Sequence, residues 1–498
     1  RYFIFSKKKC RIYAAFGVSQ TPMMYYNQRR KTLKNISDGG FFMGKQETDK
    51  RVFYTSLFRL VLPIAVQNLI STAVNSADVV MVGAVGQDAL SSVSLANQIQ
   101  FILSLVYSGV ASGATMLSSQ YWGKKDTKSI EKIMGIALRF SVGVSMLFFV
   151  FACFFPRYVM MVFTNDPVLI QGGVEYLRIL GVSYLFMGAS QVYLCIMRSI
   201  ERVVFSMWTF GAALILNIIL NAIFIFGLFG MPEMGIAGAA LATVIARGME
   251  LAICMVDALR FQTVRFRISV VFEKNPLLFQ DYLKYALPAF GNEVVWGVAF
   301  SMYSVIMGHM GSDMVAANSV VVVARNLGTV VCFGIANGGA IYLGKMIGDG
   351  RMEAAKKDAS RLCRVTFISG VLGGILVLLV RPLMMNLVDL TPKAADYLTI
   401  MLIINCYYVL GQAMNTTVIC GIFRSGGDSR FGFICDIIDM WVFAVPMGFF
   451  CAFVLKLPPM WVYFIICLDE FVKMPFIYKH YKSYKWLKNI TREIDCQG

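Results

Sequence analysis

The chain has 498 residues, of which 57% are hydrophobic and 15% charged. Soluble domains run near 25% charged, and apolar stretches of 18 or more residues recur along the whole length, so composition excludes a soluble protein with large cores and predicts an all-α polytopic membrane protein. The net charge of +17 sits in short loops, as it does where loops face anionic lipid, so it gives no case for a nucleic-acid partner.

Residues 1–56 read as a basic cytoplasmic leader, with Lys7–Lys9 and Arg29–Lys31 as charge runs. Met43 opens a polar stretch just before the first apolar run and is the expected true start. About twelve spans follow. The first six fall at roughly 57–83, 95–121, 131–154, 170–197, 205–229 and 235–257. The second six fall at roughly 282–307, 315–345, 358–380, 394–422, 432–455 and 458–478. The organisation is therefore a six-helix lobe at 57–257, a linker at 258–281, a second six-helix lobe at 282–478 and a cytoplasmic tail at 479–498. The linker is basic and partly amphipathic, and is expected to lie on the membrane surface. Twelve Cys lack any paired spacing, and only two His are present. Neither a disulfide framework nor a metal centre is expected.

Lys and Arg set the orientation. Loops after even-numbered spans carry Lys124, Lys125 and Lys128; Arg198 and Arg202; Arg265 and Arg267; Lys345 and Arg351; Arg424 and Arg430. The opposite loops hold only Arg157, Arg381, Lys393 and Lys456. By the positive-inside rule both termini are cytoplasmic.

The halves repeat. Pro63 recurs as Pro288, Gly83 as Gly308, Gly86 as Gly311 and Asp88 as Asp313. Gly109 recurs as Gly334, Gly113 as Gly338 and Gly123 as Gly348, each 225 residues on without a gap. Six spans per half is an even number, so the two lobes share one topology. They are predicted to be related by an axis along the membrane normal, with a cleft between them, as in secondary transporters.

Chemistry is sought where polar groups enter the spans. A carboxylate at the bilayer centre costs on the order of 3 kcal/mol on insertion scales, so it calls for a partner, a proton or an ion. Asp78 is such a residue, in the outer half of the first span. Asn221 and Thr243 fall at comparable depth, and Asn217 and Asn221 share a helix face. An interfacial carboxylate and amides that glue helices together are the alternative readings. Glu293 lies near the midplane of the seventh span, where it suits a proton or substrate-cation switch; a hydrogen bond to Asn292 or a neighbouring helix is the alternative. Asp436 and Asp439 are three apart on the eleventh span, and the alternative for them is an inner-mouth pair contacting Arg424 or Arg430. Arg247 and Glu250 are spaced for an intrahelical ion pair. Gly339–Lys345 has the start of a P-loop but is followed by Met346 inside a span, so no nucleotide site is expected.

These motifs resemble the multidrug and toxic compound extrusion (MATE) family. The residues that carry the resemblance are Pro63 with the run ending at Gly83, the N-x-x-L-N of Asn217–Asn221, Gly235–Thr243, Leu287–Glu293 and Gly421–Asp428. The resemblance implies about twelve transmembrane helices in two lobes. It implies a cation-coupling site at Asp78, Asn217, Asn221 and Thr243, with Na⁺ or H⁺ as coupling ion and no other cofactor. It also implies that Glu293, Asp436 and Asp439 serve a cation or substrate in the second lobe. The sequence departs from one branch of the family, whose second Asn position is an Asp, and from sodium-coupled relatives with a carboxylate on the tenth span. The expected function is a monomeric antiporter of the bacterial inner membrane that exports organic cations and other amphipathic compounds. A lipid-linked saccharide flippase of the same superfamily is the alternative; a membrane-embedded enzyme lacks any supporting motif.

Overall fold

A computed structural model describes residues 43–261, 263–387 and 391–492. The leader before Met43, and with it the question of the true start, lies outside the described residues. The chain divides into two compact units, Arg1–Thr55 and Ser56–Gly498; the lobes, cavities and sites below all belong to the second.

Every described element is a helix. The first half comprises α1 (Met43–Val85), α2 (Gln87–Gly123), α3 (Thr127–Phe154), α4 (Pro167–Ser199), α5 (Val203–Phe226) and α6 (Gly235–Arg260). The second comprises α7 (Pro276–His309), α8 (Ser312–Gly348), α9 (Met352–Leu387), α10 (Pro392–Phe423) and α11 (Ser429–Val454). It ends in a broken span, α12 (Pro459–Ile466), with two further turns at Asp469–Val472 and Met474–Lys482. Most helices begin before the apolar segments, and side-chain caps mark several of these starts. Asp166, Asn275 and Thr391 each precede a proline at the first helical position. Their side chains accept the N–H of Val168, Leu278 and Ala394 at 2.9, 3.1 and 3.1 Å. This satisfies an amide that the first turn leaves free. The seventh span accordingly begins at Pro276, six residues inside the expected linker. The linker folds a short helix at Ile268–Phe272 and is pinned to α3, with Glu273 3 Å-range paired to Lys132 (2.9 Å).

Among the described residues, ten helices are long and apolar enough to cross a membrane. The expected spans that fail this test are α7 and the α12 region. α7 carries Asp281, Lys284 and Glu293, which lower its hydropathy, and the last span is broken into helices of 8, 4 and 9 residues around Asp469, Glu470 and Lys473. Asp281, Asp469, Glu470 and Lys473 are buried, with Asp281 paired to Arg492 and Glu470 to Lys473, so the segments belong to the bundle although hydropathy alone misses them. Large apolar side chains such as Val80, Phe154, Trp208, Leu259 and Leu379 are exposed, as a lipid-facing surface requires.

The 225-residue repeat becomes a reciprocal packing of the two halves. Gly109 and Gly113 on α2 lie against Phe290 and Ala286 on α7; a Cβ added to Gly109 would sit 2.5 Å from that of Phe290. In the mirrored contact, Gly334 and Gly338 on α8 lie against Ala65 and Val61 on α1, at 3.2 and 3.0 Å for an added Cβ. Gly123 meets the carbonyl of Lys345, and Gly348 meets that of Gln120. Each contact is the image of the other. Because the C-terminal ends of α2 and α8 meet each other, the two-fold axis runs along the helices and the halves are not inverted. Gly86 and Gly311 occupy the equivalent α1–α2 and α7–α8 joints with φ of 150° and 118°, a backbone region that favours glycine.

The lobes thus close on each other at the end of the bundle that bears the Lys- and Arg-rich loops. Lys345 pairs with Glu201 across it at 2.6 Å. The C-terminal tail reinforces the closure. The Gln120 amide donates to the carbonyls of Ser425 (2.7 Å) and Lys488 (3.1 Å) and accepts the Ile490 N–H (2.8 Å). Trp486 is completely buried. Arg492 pairs with Asp281 at 2.5 and 2.8 Å, a bond that holds its guanidinium above the ordinary pKa.

Candidate functional site

In the first lobe, α1, α5 and α6 bring Asp78, Asn217, Asn221 and Thr243 together. Asn217 and Asn221 are one turn apart on α5, so both amides face α1 and α6. The Asn221 Nδ2 donates to Asp78 Oδ1 at 2.6 Å and to Asn217 Oδ1 at 3.3 Å. The Asn217 Nδ2 donates to Thr243 Oγ1 at 3.2 Å, and that hydroxyl donates to the Ala239 carbonyl at 3.1 Å. All four residues line one cavity of about 420 Å³, together with Tyr176 and Arg247. The Asn221 Oδ1 is buried and has no hydrogen-bond partner among the described residues. Asp78 makes no ion pair among them either. The nearest cationic side chain on the wall, Arg247, is paired with the fully buried Glu250 at 2.6 Å, which also accepts from Ser190 at 2.7 Å. The result is a carboxylate, an unused amide oxygen and further side-chain oxygens around one space. Such a set suits a hard cation or a proton.

The second lobe is built differently. Glu293 pairs with Arg424 at 3.1 Å. Arg424 also donates to Asn292 Oδ1 at 2.9 Å and, across the lobe boundary, to Ser112 Oγ at 3.0 Å. The Asn292 Nδ2 donates to Asp436 Oδ2 at 2.5 Å. Asp436 and Asp439 converge on Lys473 at 3.3 and 3.4 Å, not on Arg424 or Arg430, and Glu470 joins them at 3.1 Å. Lys473 is 4% exposed. A carboxamide from α10 completes the cluster: Asn415 donates to Glu470 at 2.7 Å. Asp78 has Tyr303 as its repeat image, and the Tyr303 hydroxyl donates to the buried Asp469 at 3.1 Å.

Sequence reasoning missed Lys473, Asp469 and Glu470 as members of this network. The signal was present: three charges at i, i+1 and i+4 inside the last apolar run. It also missed Arg325, on α8, which lines a second cavity, between the lobes, with Trp296, Phe300 and Tyr408. Arg424 and Arg198 line another, together with Gln67, Asn68 and Gln191, and among the described residues no carboxylate faces it.

The family model for MatE matches residues 63–223 and 288–450, two stretches that begin 225 residues apart. A Bacillus subtilis protein described as an uncharacterized transporter, YisQ, is 23% identical over 87% of this chain and 95% of its own. A probable multidrug resistance protein of the same organism, YoeA, is 26% identical over 90% of this chain and 98% of its own. Among solved structures, a Vibrio cholerae MATE transporter, VcmN, superposes with a TM-score of 0.79 at 15% identity, covering 88% of this chain and 99% of that one.

Proposed function

Since the chain belongs to the MatE family of transporters and is not an enzyme, we propose that it is a secondary antiporter that exports amphipathic small molecules from the cell in exchange for Na⁺ or H⁺. The observation that carries this reading is Asp78, a carboxylate inside a span with no built-in cation, beside the unused oxygen of Asn221. A charge left this way is neutralised by something from solution. The coupling ion binds at Asp78, Asn217, Asn221 and Thr243, and release of the ion and of the cargo occurs on opposite sides as the lobes rock about the cleft. Each charge moved through the membrane supplies about 2.3 kcal/mol per 100 mV, so no nucleotide is needed. The protein sits in the bacterial inner membrane with both termini cytoplasmic, which places the tail-reinforced closure on the cytoplasmic side. The names of relatives such as YoeA support drug efflux.

A second reading, a flippase for a lipid-linked saccharide, draws on the cavity that Arg198 and Arg424 line. Ethidium efflux from everted vesicles under separately imposed Na⁺ and pH gradients tests the first reading. Efflux that follows one gradient and is lost in Asp78→Asn supports it. Transport indifferent to both gradients contradicts it.

A further inference from the structure

The cavity between the lobes at the end away from the basic loops holds about 650 Å³, within the range of pockets that enclose drug-sized ligands. Its wall is aromatic. Phe101 comes from the first lobe; Trp296, Phe300, Tyr303, Tyr408 and Tyr463 come from the second. Among the described residues, the only side chain with a formal charge on that wall is Arg325. Its guanidinium stands over the rings of Phe300 and Tyr408, 5.1 and 5.5 Å from their centroids. Those rings fix its plane, and Trp296 packs on Phe300 at 4.4 Å to hold the ring in turn. Among the described residues Arg325 makes no ion pair. The carboxylate behind this wall is Asp469, fully buried, and it is tied to the Tyr303 hydroxyl at 3.1 Å and to the Glu470 N–H at 2.7 Å. It does not line the cavity.

An oriented guanidinium with free N–H donors binds a carboxylate in two-point fashion, and aromatic faces take a flat apolar body. A cation placed there meets a like charge at short range. A pyrophosphate would need more than one cation.

We propose that this chamber is the cargo site for compounds that pair a planar aromatic body with a single carboxylate, held by Arg325. Aromatic monoanions and zwitterions, rather than purely cationic compounds, are then the preferred cargo. This deepens the antiporter reading and rests on it, since it names what is exchanged for the ion. It departs from the expectation of organic cations that the family resemblance implied; the second-lobe carboxylates Glu293, Asp436 and Asp439 are neutralised by Arg424 and Lys473 within the protein.

The test is equilibrium binding of three probes of equal shape to the full chain in nanodiscs, without a gradient: 2-naphthoate, 2-naphthylmethanol and 2-naphthylmethylammonium. The naphthoate is expected to bind at least about ten-fold tighter than the ammonium probe. Arg325→Gln should remove that preference, and Arg325→Lys should keep part of it. Equal or tighter binding of the ammonium probe by the unaltered protein overturns the proposal, and so does failure of all three to bind. Naphthoate affinity unchanged in a folded Arg325→Gln variant also overturns it. The preference itself is measured on the unaltered protein, so misfolding of a variant does not shield the proposal. If the anion preference holds while transport ignores both gradients, the site stands and the antiporter reading falls. If efflux of ethidium follows a gradient while naphthoate fails to bind, the reverse is true.

Discussion

The two lobes descend from one pattern, yet they handle intramembrane charge in opposite ways. The second lobe buries Asp436, Asp439 and Glu470 against Lys473, and Glu293 against Arg424, so its carboxylates carry their counter-charges with them. The first lobe leaves Asp78 with amide and hydroxyl neighbours and keeps its nearby cation, Arg247, engaged with Glu250. A neutralised cluster fixes structure; an unneutralised carboxylate beside a cavity is free to exchange an ion. The asymmetry shows at a single repeat pair: Asp78 maps onto Tyr303, whose hydroxyl reaches a carboxylate supplied from the last span.

The largest expected effect breaks the second lobe's balance. Lys473→Met leaves three buried carboxylates without their cation, and removing one partner of a buried pair costs about 3–5 kcal/mol. Thermal unfolding in detergent should show a strong loss of stability. Adding Asp436→Asn and Asp439→Asn to that variant should recover much of it. A folded, fully stable Lys473→Met protein would mean the cluster is not held together by charge.

The next effect probes the reciprocal packing. Gly113→Leu forces a side chain against Ala286, whereas Gly338→Leu meets the more yielding end of Val61, 3.0 Å from an added Cβ. Overpacking costs about 1–3 kcal/mol, and Gly113→Leu should sit at the upper end. The comparison of the two unfolding midpoints checks it. Equal losses would show that the two interfaces are equally tight.

Glu293→Gln should be milder. Arg424 keeps Asn292 and Ser112 as acceptors, so stability should fall by about 1 kcal/mol. Binding of the naphthoate probe without a gradient should be unchanged, because Glu293 does not line the Arg325 chamber, and the ion dependence of efflux should persist. A change of ion dependence would place coupling in the second lobe as well. The smallest effect belongs to the tail. Arg492→Ala removes a pair whose Arg492 end is half exposed and whose Asp281 end is buried, so salt screens only part of it. Its cost should shrink in high-salt unfolding measurements.

Much of this was legible in the sequence. The 225-residue frame of Pro63, Gly109, Gly113 and Gly123 anticipated the two-lobed fold; that its glycines pack at the lobe boundary, where close helix approach demands the absence of a side chain, is visible only in the structure. Asp78, Asn217, Asn221 and Thr243 were readable as a group through their depth, although their convergence on one cavity is a matter of helix rotation that hydropathy does not encode. The partners in the second lobe were less legible. Lys473 lies 34 residues beyond Asp439 in a span whose own charges lower its hydropathy, and which carboxylate a buried cation meets depends on packing. Arg325 was hidden for a related reason: on α8 it is a lone charge in a mostly apolar run, and only the rings of Phe300 and Tyr408 from other helices give it a role.

The central claim is that the unneutralised carboxylate of the first lobe drives exchange. Its most direct test is efflux by Asp78→Asn in everted vesicles, under Na⁺ and pH gradients imposed one at a time. The variant should fold at least as well as the parent, because an uncompensated intramembrane charge has been removed. It should bind cargo without a gradient, and its efflux should respond to neither gradient. Normal gradient-driven efflux by Asp78→Asn would contradict the account and move coupling to Glu293, Asp436 and Asp439.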